Sequence, residues 1–383
     1  MKLAVLPNLS TLSLEQWNAL ELRDNPFVSY AFLNALEEHG CVGGNTGWIP
    51  QHLVITDNNR LIGALPMYLK DHSWGEFVFD WAWANAYQRS GLNYYPKLVA
   101  SVPFSPVSGP RLLVTGDPRY DSGRIRQALI EGAIAHARQL NASSLHCLFT
   151  DEQDTRALAQ TPLAPRLGYQ FHWTNRGYGD FDDFLSTLSS AKRKKIKRER
   201  RRVAESTVEI RRHRGGELNA GQWRLLQGLY AKTCEDKHNM AWLTPEFFQA
   251  MGRELADNSL VFFAYYRQEP VAGAFFLRSR DRLYGRYWGC LQEFHSLHFE
   301  TCYYQALDYC IAEGINVFEP GAQGEHKISR GFLPTATWSC HWLDDARFSQ
   351  AMGRFLKEEK HQVRRCMAEL MRHSPYKRID ERD

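Results

Sequence analysis

The sequence predicts an α+β protein of two successive domains with mixed, mainly antiparallel sheets, joined by a basic helix. Three observations predict it. The chain has 383 residues, 44% of them hydrophobic, which is enough for two domains that each bury a core. The order hairpin, strand, long helix, strand, loop, strand occurs twice along it. An antiparallel sheet that leads through a helix into a buried strand is an α+β pattern. Between the two runs lies 192–202, where nine of eleven residues are Lys or Arg.

Residues 1–39 read as helical, with a break at Asn25-Pro26. Residues 52–56 and 61–69 flank the polar turn Asp57-Asn58-Asn59, a hairpin signal. Further strands are expected at 75–83 and 97–102, with an aromatic loop carrying Tyr87, Tyr94 and Tyr95 between them. Residues 124–140 place Ile125, Leu129, Ala133, Ile134 and Ala137 on one helical face, followed by strands at 144–149 and 169–173. The second half repeats the order. Strands are expected at 259–266, 271–278 and 283–288, a helix at 299–314 ended by Gly314, a short strand at 316–318, a closing strand at 337–343 and a last helix at 346–371. The expected boundaries are 1–178 for the first domain, 179–206 for the connector and 207–383 for the second domain. In a continuous connector helix Phe181, Leu185, Leu188, Ile196 and Val203 share a stripe with Lys192.

Net charge is only +4, so the chain is no general nucleic-acid coat, and the local basic density is what needs a cause. A solvated helix face is one reading. A bound anion is the other, since nine repelling charges are easier to hold against one. The eight cysteines are scattered without a C-x-x-C pair, which suits buried reduced thiols, and no metal site is expected. No apolar run approaches the roughly 18 to 20 residues of a membrane span. The start has too short an apolar core for a secretory signal. A cytoplasmic location is therefore expected, and the oligomeric state stays open.

The densest functional signal is the late loop, 318–332. It sets Glu319, Gln323, Glu325, His326, Lys327 and Arg330 among Pro320, Gly321, Gly324 and Gly331. A loop so rich in turn residues and charge is rarely a mere connector. Acyl transfer to an amine needs a neutral amine, a stabilised oxyanion and a protonated leaving group. Glu325 and His326 are candidates for the amine proton, and Lys327 for the oxyanion, although such a triplet also suits a solvated loop. Trp83 and Tyr95, in the aromatic segment, suit either an acceptor groove or packing beneath a long loop. Neither half carries the glycine-rich pyrophosphate turn of typical acetyl-CoA enzymes.

Four blocks carry a resemblance. They are Pro106-Val107-Ser108-Gly109-Pro110-Arg111, Ser189-Ser190-Ala191-Lys192-Arg193-Lys194-Lys195-Ile196, Tyr287-Trp288-Gly289-Cys290 with His295 and His298-Phe299-Glu300, and the late loop. On these the chain resembles the FemAB-like predicted N-acyltransferases, relatives of the Fem non-ribosomal peptidyltransferases. The resemblance implies two tandem Gcn5-related acyltransferase-like domains and transfer of an acyl or aminoacyl group onto an amine. The implied donor is aminoacyl-tRNA or acyl-CoA, used as co-substrate with no tightly bound cofactor. The implied acceptor is a peptidoglycan precursor or another peptide- or nucleotide-linked amine. It further implies that Arg193, with Lys192 and Lys195 beside it, contacts a diphosphate, and that Lys327 serves the reacting centre. Ser108, Gly109, Trp288, His295, His298, Glu300, Glu319, Gln323 and Arg330 join the expected substrate-binding set. A non-catalytic RNA- or nucleotide-binding protein on the same fold is the alternative. The more basic connector, the histidine-rich late segment and the absence of the coiled-coil arm that some Fem members carry set this chain apart from the Fem pattern.

Overall fold

In the computed structural model, which describes residues 1–322 and 324–377, the chain forms two compact units. One is Met1–Tyr169 with Ala336–Arg364, and the other is Gln170–Thr335 with the chain from Arg365 onward. The first unit opens with β1 (Lys2–Leu6), α1 (Leu14–Asn18), α2 (Tyr30–Glu38), β2 (Trp48–Pro50), β3 (His52–Asp57), β4 (Arg60–Leu65) and β5 (Tyr68–Lys70). It continues through α3 (Trp81–Arg89), β6 (Lys97–Ala100), β7 (Leu113–Val114), α4 (Ser122–Gln139), β8 (Ser144–Thr150), α5 (Glu152–Leu158) and the start of β9 (Ala164–Thr174). The second unit holds the end of β9, α6 (Phe181–Ser186), α7 (Ser190–Glu205), β10 (Glu209–Arg214), α8 (Ala220–Asp236), α9 (Pro245–Glu254) and β11 (Ser259–Tyr266). There follow β12 (Glu269–Arg278), β13 (Arg282–Cys290), α10 (Leu297–Phe299), α11 (Gln305–Ala312) and β14 (Val317–Glu319). The chain then returns along β15 (Leu333–Leu343) to the first unit and ends in α12 (Ala346–Arg372).

In the first unit β1, β3, β4 and β7 form an antiparallel sheet, and β15, β8, β6, β5 and β2 lie in that order in a second. Only β6 and β8 pair parallel among these strands. Asn58 and Asn59, both at positive φ (47° and 63°), turn β3 into β4; asparagine tolerates that region better than most side chains. Leu129 and Ala133 of α4 pack on Leu53, Ile55, Ile62 and Leu145. In the second unit β10 to β13 run antiparallel, β14 joins β13 in parallel, and β9 pairs antiparallel with β14. Both units are thus α+β with mixed, mainly antiparallel sheets.

The unit boundaries differ from those at 178 and 206, because residues 338–343 of β15 pair with β8 rather than with a strand of the second unit. A strand belongs with the partner that satisfies its N–H and C=O groups, and that partner lies almost two hundred residues upstream. Residues 2–6 are a strand, not helix, because they pair with 52–56 of β3. The strand expected at 75–83 is a loop running into α3, and Trp74, Phe77, Phe79 and Trp81 are exposed rather than alternating into a core. Helices α8 and α9 stand where no element was read; Asn219 with Gln222 forms a capping box and Thr244 caps α9 ahead of Pro245. The connector is two helices rather than one. Between them Ser189 N donates to Pro375 O (2.8 Å) and Leu188 bridges Tyr376, so Lys192 does not share a stripe with Phe181 and Leu185. Among the described residues no helix is long and apolar enough to cross a membrane.

One buried polar cluster matters for the first unit's stability. Lys97 Nζ donates to Ser73 Oγ (2.7 Å), Glu76 Oε2 (2.9 Å) and Asp80. Tyr94 links Asp80 to His146, and His146 Nδ1 meets His341 Nδ1 at 2.8 Å. Burial first, then nearby cations, hold His146 well below the usual imidazole range; burial and then His146 do the same for His341. Below pH about 6.5 the unfolded chain therefore binds protons that the folded chain refuses. The stability involved is complete above that pH and falls as pH drops, by up to about 1.4 kcal/mol per unit for each histidine. Glu76, pushed up to about 7 by burial, works in the opposite sense. The comparison of His341→Gln with the parent isolates the histidine: urea unfolding between pH 7 and 5 is expected to show a shallower loss of stability in the variant.

Candidate active site

The late loop leaves β14 at Glu319 and turns on three glycines at positive φ: Gly321 (93°), Gly324 (120°) and Gly331 (97°). At Gly331 no other residue fits, since a Cβ there meets Phe184 at 2.9 Å in a backbone conformation that L side chains rarely adopt. Between the last two glycines, Glu325–Arg330 forms a 3-10 turn. Its tight winding sends Lys327, Ile328 and Arg330 inward and leaves Glu325 and His326 at the surface.

Arg330 is locked from four sides. Its Nη2 donates to both carboxylate oxygens of Glu199 (3.1 and 2.9 Å), its Nε to Tyr304 Oη (2.9 Å) and its Nη1 to His326 O (2.9 Å). The guanidinium lies 3.4 Å from the ring centre of Phe299. Tyr304 also donates to Glu199. Arg330, expected to bind substrate, is thus wholly engaged in holding the loop to α7. Glu199 is the single acid in the run 192–202 and was not picked out from the sequence. Its isolation among nine cations was the signal that marked it.

Lys327 is 2% exposed. Its Nζ donates to Gly321 O (2.8 Å) and has no carboxylate partner among the described residues. Burial lowers its pKa to about 8. His326 Nε2 lies 3.0 Å from Tyr303 Oη, and the His298 ring stands 6.3 Å from that of His326. Tyr303, also missed, comes from a π-helical turn, Glu300–Tyr304, inserted between α10 and α11. The second unit therefore brings Lys327, His326 and His298 together, while Glu325 faces solvent.

The outer face of α7 forms an open groove of about 560 Å³ lined by Ala191, Arg193, Lys194, Lys195, Lys197, Arg198 and Arg201. Lys195, Lys197 and Arg201 have acids within reach (Glu199 at 3.9 Å, Asp182 at 2.8 Å, Glu205 at 3.7 Å). Lys192, Arg193, Lys194 and Arg198 have none among the described residues.

The other expected binding residues fall variously. Glu300 is buried against Arg200 (3.2 Å), and Glu319 against Arg282 (2.7 Å). His295, at the surface, meets Arg202 (3.0 Å), and Trp288 stacks edge-on with His298 (5.4 Å). In the first unit Trp83 is buried against His341 and His146, and Tyr95 reaches Ser73 (2.9 Å). Ser108 O accepts from Asn25 Nδ2 (3.3 Å), and Gly109 N donates to Phe149 O (3.0 Å). These four serve packing and backbone pairing there. Gln323 lies outside the described residues.

The architecture is similar to that of FemX, with a TM-score of 0.54 and 9% identity over 92% of this chain and 100% of that one. It is also similar to L-PGS from Bacillus licheniformis (TM-score 0.51, 9% identity, 84% of this chain and 95% of that one). A conserved protein of unknown function from Bacteroides thetaiotaomicron gives a TM-score of 0.50 at 12% identity, over 89% of this chain and 99% of that one. At such identities the likeness is one of fold. The model of the FemAB-like family, described as peptidoglycan biosynthesis/recognition, matches residues 8–378. The chain belongs to the FemAB-like family. No curated protein sequence matches it significantly.

Removing one partner of a buried ion pair strands the other charge, typically at a cost of about 3–5 kcal/mol. Glu199→Gln is therefore expected to destabilise the chain on that scale in urea unfolding, and more than Glu205→Gln, whose contact with Arg201 is exposed.

Proposed function

We propose that the chain is an N-acyltransferase that moves an acyl or aminoacyl group from an anionic donor onto the amine of a peptide- or nucleotide-linked cell-wall precursor. The observation that carries this reading is Lys327. A lysine kept 2% exposed with, among the described residues, one backbone acceptor and no acid is a stored positive charge. Burial without a counter-ion costs stability, and such a cost is usually met where charge develops in a reaction. Attack of an amine on a carbonyl creates negative charge on the carbonyl oxygen. Lys327 stabilises it, in a setting where solvent screening is weak.

The groove on α7 supports an anionic donor. Its helix of 16 residues is about 24 Å long at 1.5 Å per residue, a span that suits several phosphates along a polynucleotide. An aminoacyl-tRNA therefore fits the length of the groove better than the compact phosphates of an acyl-CoA. Membership of a family described as peptidoglycan biosynthesis/recognition supports the acceptor class.

Transfer assayed with aminoacyl-tRNA and with acyl-CoA is expected to fall about 10²- to 10³-fold in Lys327→Ala, with an unchanged melting curve. Full activity in that variant removes the role. Donor binding titrated against salt is expected to flatten by about two to three units of log–log slope when Arg193, Lys194 and Arg198 are all replaced by alanine. Donor binding with unchanged slope makes α7 a solvated face. Binding without any transfer supports the non-catalytic RNA- or nucleotide-binding protein instead.

A further inference from the structure

We propose that His298 is the base that takes the proton from the acceptor amine. The inference rests on the acyl-transfer reading above and adds the group which that reading leaves unnamed.

Four observations converge on this imidazole. Its ring sits in an aromatic box, with ring centres of Trp288, Phe299 and Tyr303 at 5.4, 5.4 and 5.5 Å. Its two nitrogens have no hydrogen-bond partner among the described residues. By contrast His326 is tied to Tyr303, and His295 to Ser296 and Arg202. The residue is only partly buried, so it is not sealed off from solvent. Finally, it sits between two departures from regular backbone. Ser296 before it is left-handed (φ 69°), and the π-helical turn Glu300–Tyr304 follows. Strain of this kind collects at functional sites.

The charges facing His298 keep it neutral. From the late loop come His326, Lys327 and Arg330, and from the end of α8 comes Lys237; with burial as the larger cause they bring its pKa to about 4. An anionic donor offsets these cations and raises the proton affinity of the ring when both substrates are in place. His326 is a weaker candidate because its Nε2 is already engaged, and Glu325 because it faces solvent.

The step balances. The amine nitrogen attacks the donor carbonyl carbon, a C–N bond forms, and the carbonyl π pair moves onto oxygen beside Lys327. The nitrogen passes one proton to His298. The tetrahedral centre then collapses, the bond to the donor's ester oxygen (or thioester sulphur) breaks, and the leaving atom takes that proton from His298. The products are an amide and a free alcohol or thiol, with the imidazole neutral again.

Two measurements test this. Diethyl pyrocarbonate acylates neutral, reachable imidazole nitrogens. At pH 5, where an ordinary histidine is mostly protonated, His298 is expected to be among the first residues modified in the folded chain, as mapped by mass spectrometry. Its failure to react overturns the proposal whatever the activity. In the transfer assay His298→Gln is expected to lower kcat/KM by about 10²- to 10⁴-fold with an unchanged melting curve. The acid limb of the pH profile should vanish with it, and free imidazole should restore activity to His298→Ala. Parent-like kcat/KM in His298→Gln overturns the base while the transferase reading stands. A parent chain inert with both donor classes overturns that reading, and the base falls with it.

Discussion

Much of the second unit depends on one buried ion pair, Glu199 with Arg330. The carboxylate comes from the middle of α7 and the guanidinium from the end of the late loop, 131 residues apart in the chain. Neither group is tolerable alone at this depth, because the desolvation of each is repaid chiefly by the other. Tyr304 and the face of Phe299 complete the arrangement, which ties the turn after β13 to both. Arg330 also donates to His326 O, so the same guanidinium fixes the backbone on which His326 and Lys327 stand. A Lys at position 330 would supply charge but not the planar fork that serves these partners at once.

This anchoring explains how a segment so basic can fold. Nine cations on one helix repel each other, and Glu199 answers only part of that charge. Salt bridges from neighbouring elements relieve some of the remainder, as Arg200 does with Glu300 and Asp308 and Lys197 with Asp182. Lys192, Arg193, Lys194 and Arg198 have no acid within reach among the described residues. Lys327 likewise has none among the described residues, and burial first, then the cations nearby, hold His326 and His298 below the usual imidazole range. The unit thus stores uncompensated positive potential in two places, along α7 and at the late loop. Stability lost to such self-repulsion is a common cost of sites that receive anions.

The sites differ in how they expose that charge. The α7 cations lie in an open groove, where salt screens them. Lys327 is shut away, where screening is weak and a single charge acts strongly on a nearby oxyanion. In the reading proposed above the two are complementary: one would gather the donor and the other would work on its carbonyl.

The sequence by itself determined the family, the α+β class and several elements whose signal is local. The β3–β4 hairpin turns on its own Asn58-Asn59 pair, α4 shows its apolar face in its spacing, and the glycines at 321, 324 and 331 mark a loop rich in turn residues. The concentration of cations at 192–202 is likewise a property of neighbouring residues. Only the tertiary structure decided which charges are buried and which strands pair. Nothing local says that Lys327 turns inward while Glu325 turns out, or that Arg330 is held by Glu199 rather than offered to substrate. Nothing local gives residues 338–343 to β8, or makes 75–80 a loop that shows Phe77 and Phe79 to solvent. Burial, ion pairing and strand partnership are made by groups tens to hundreds of residues apart, and so they become readable only when the fold brings those groups together.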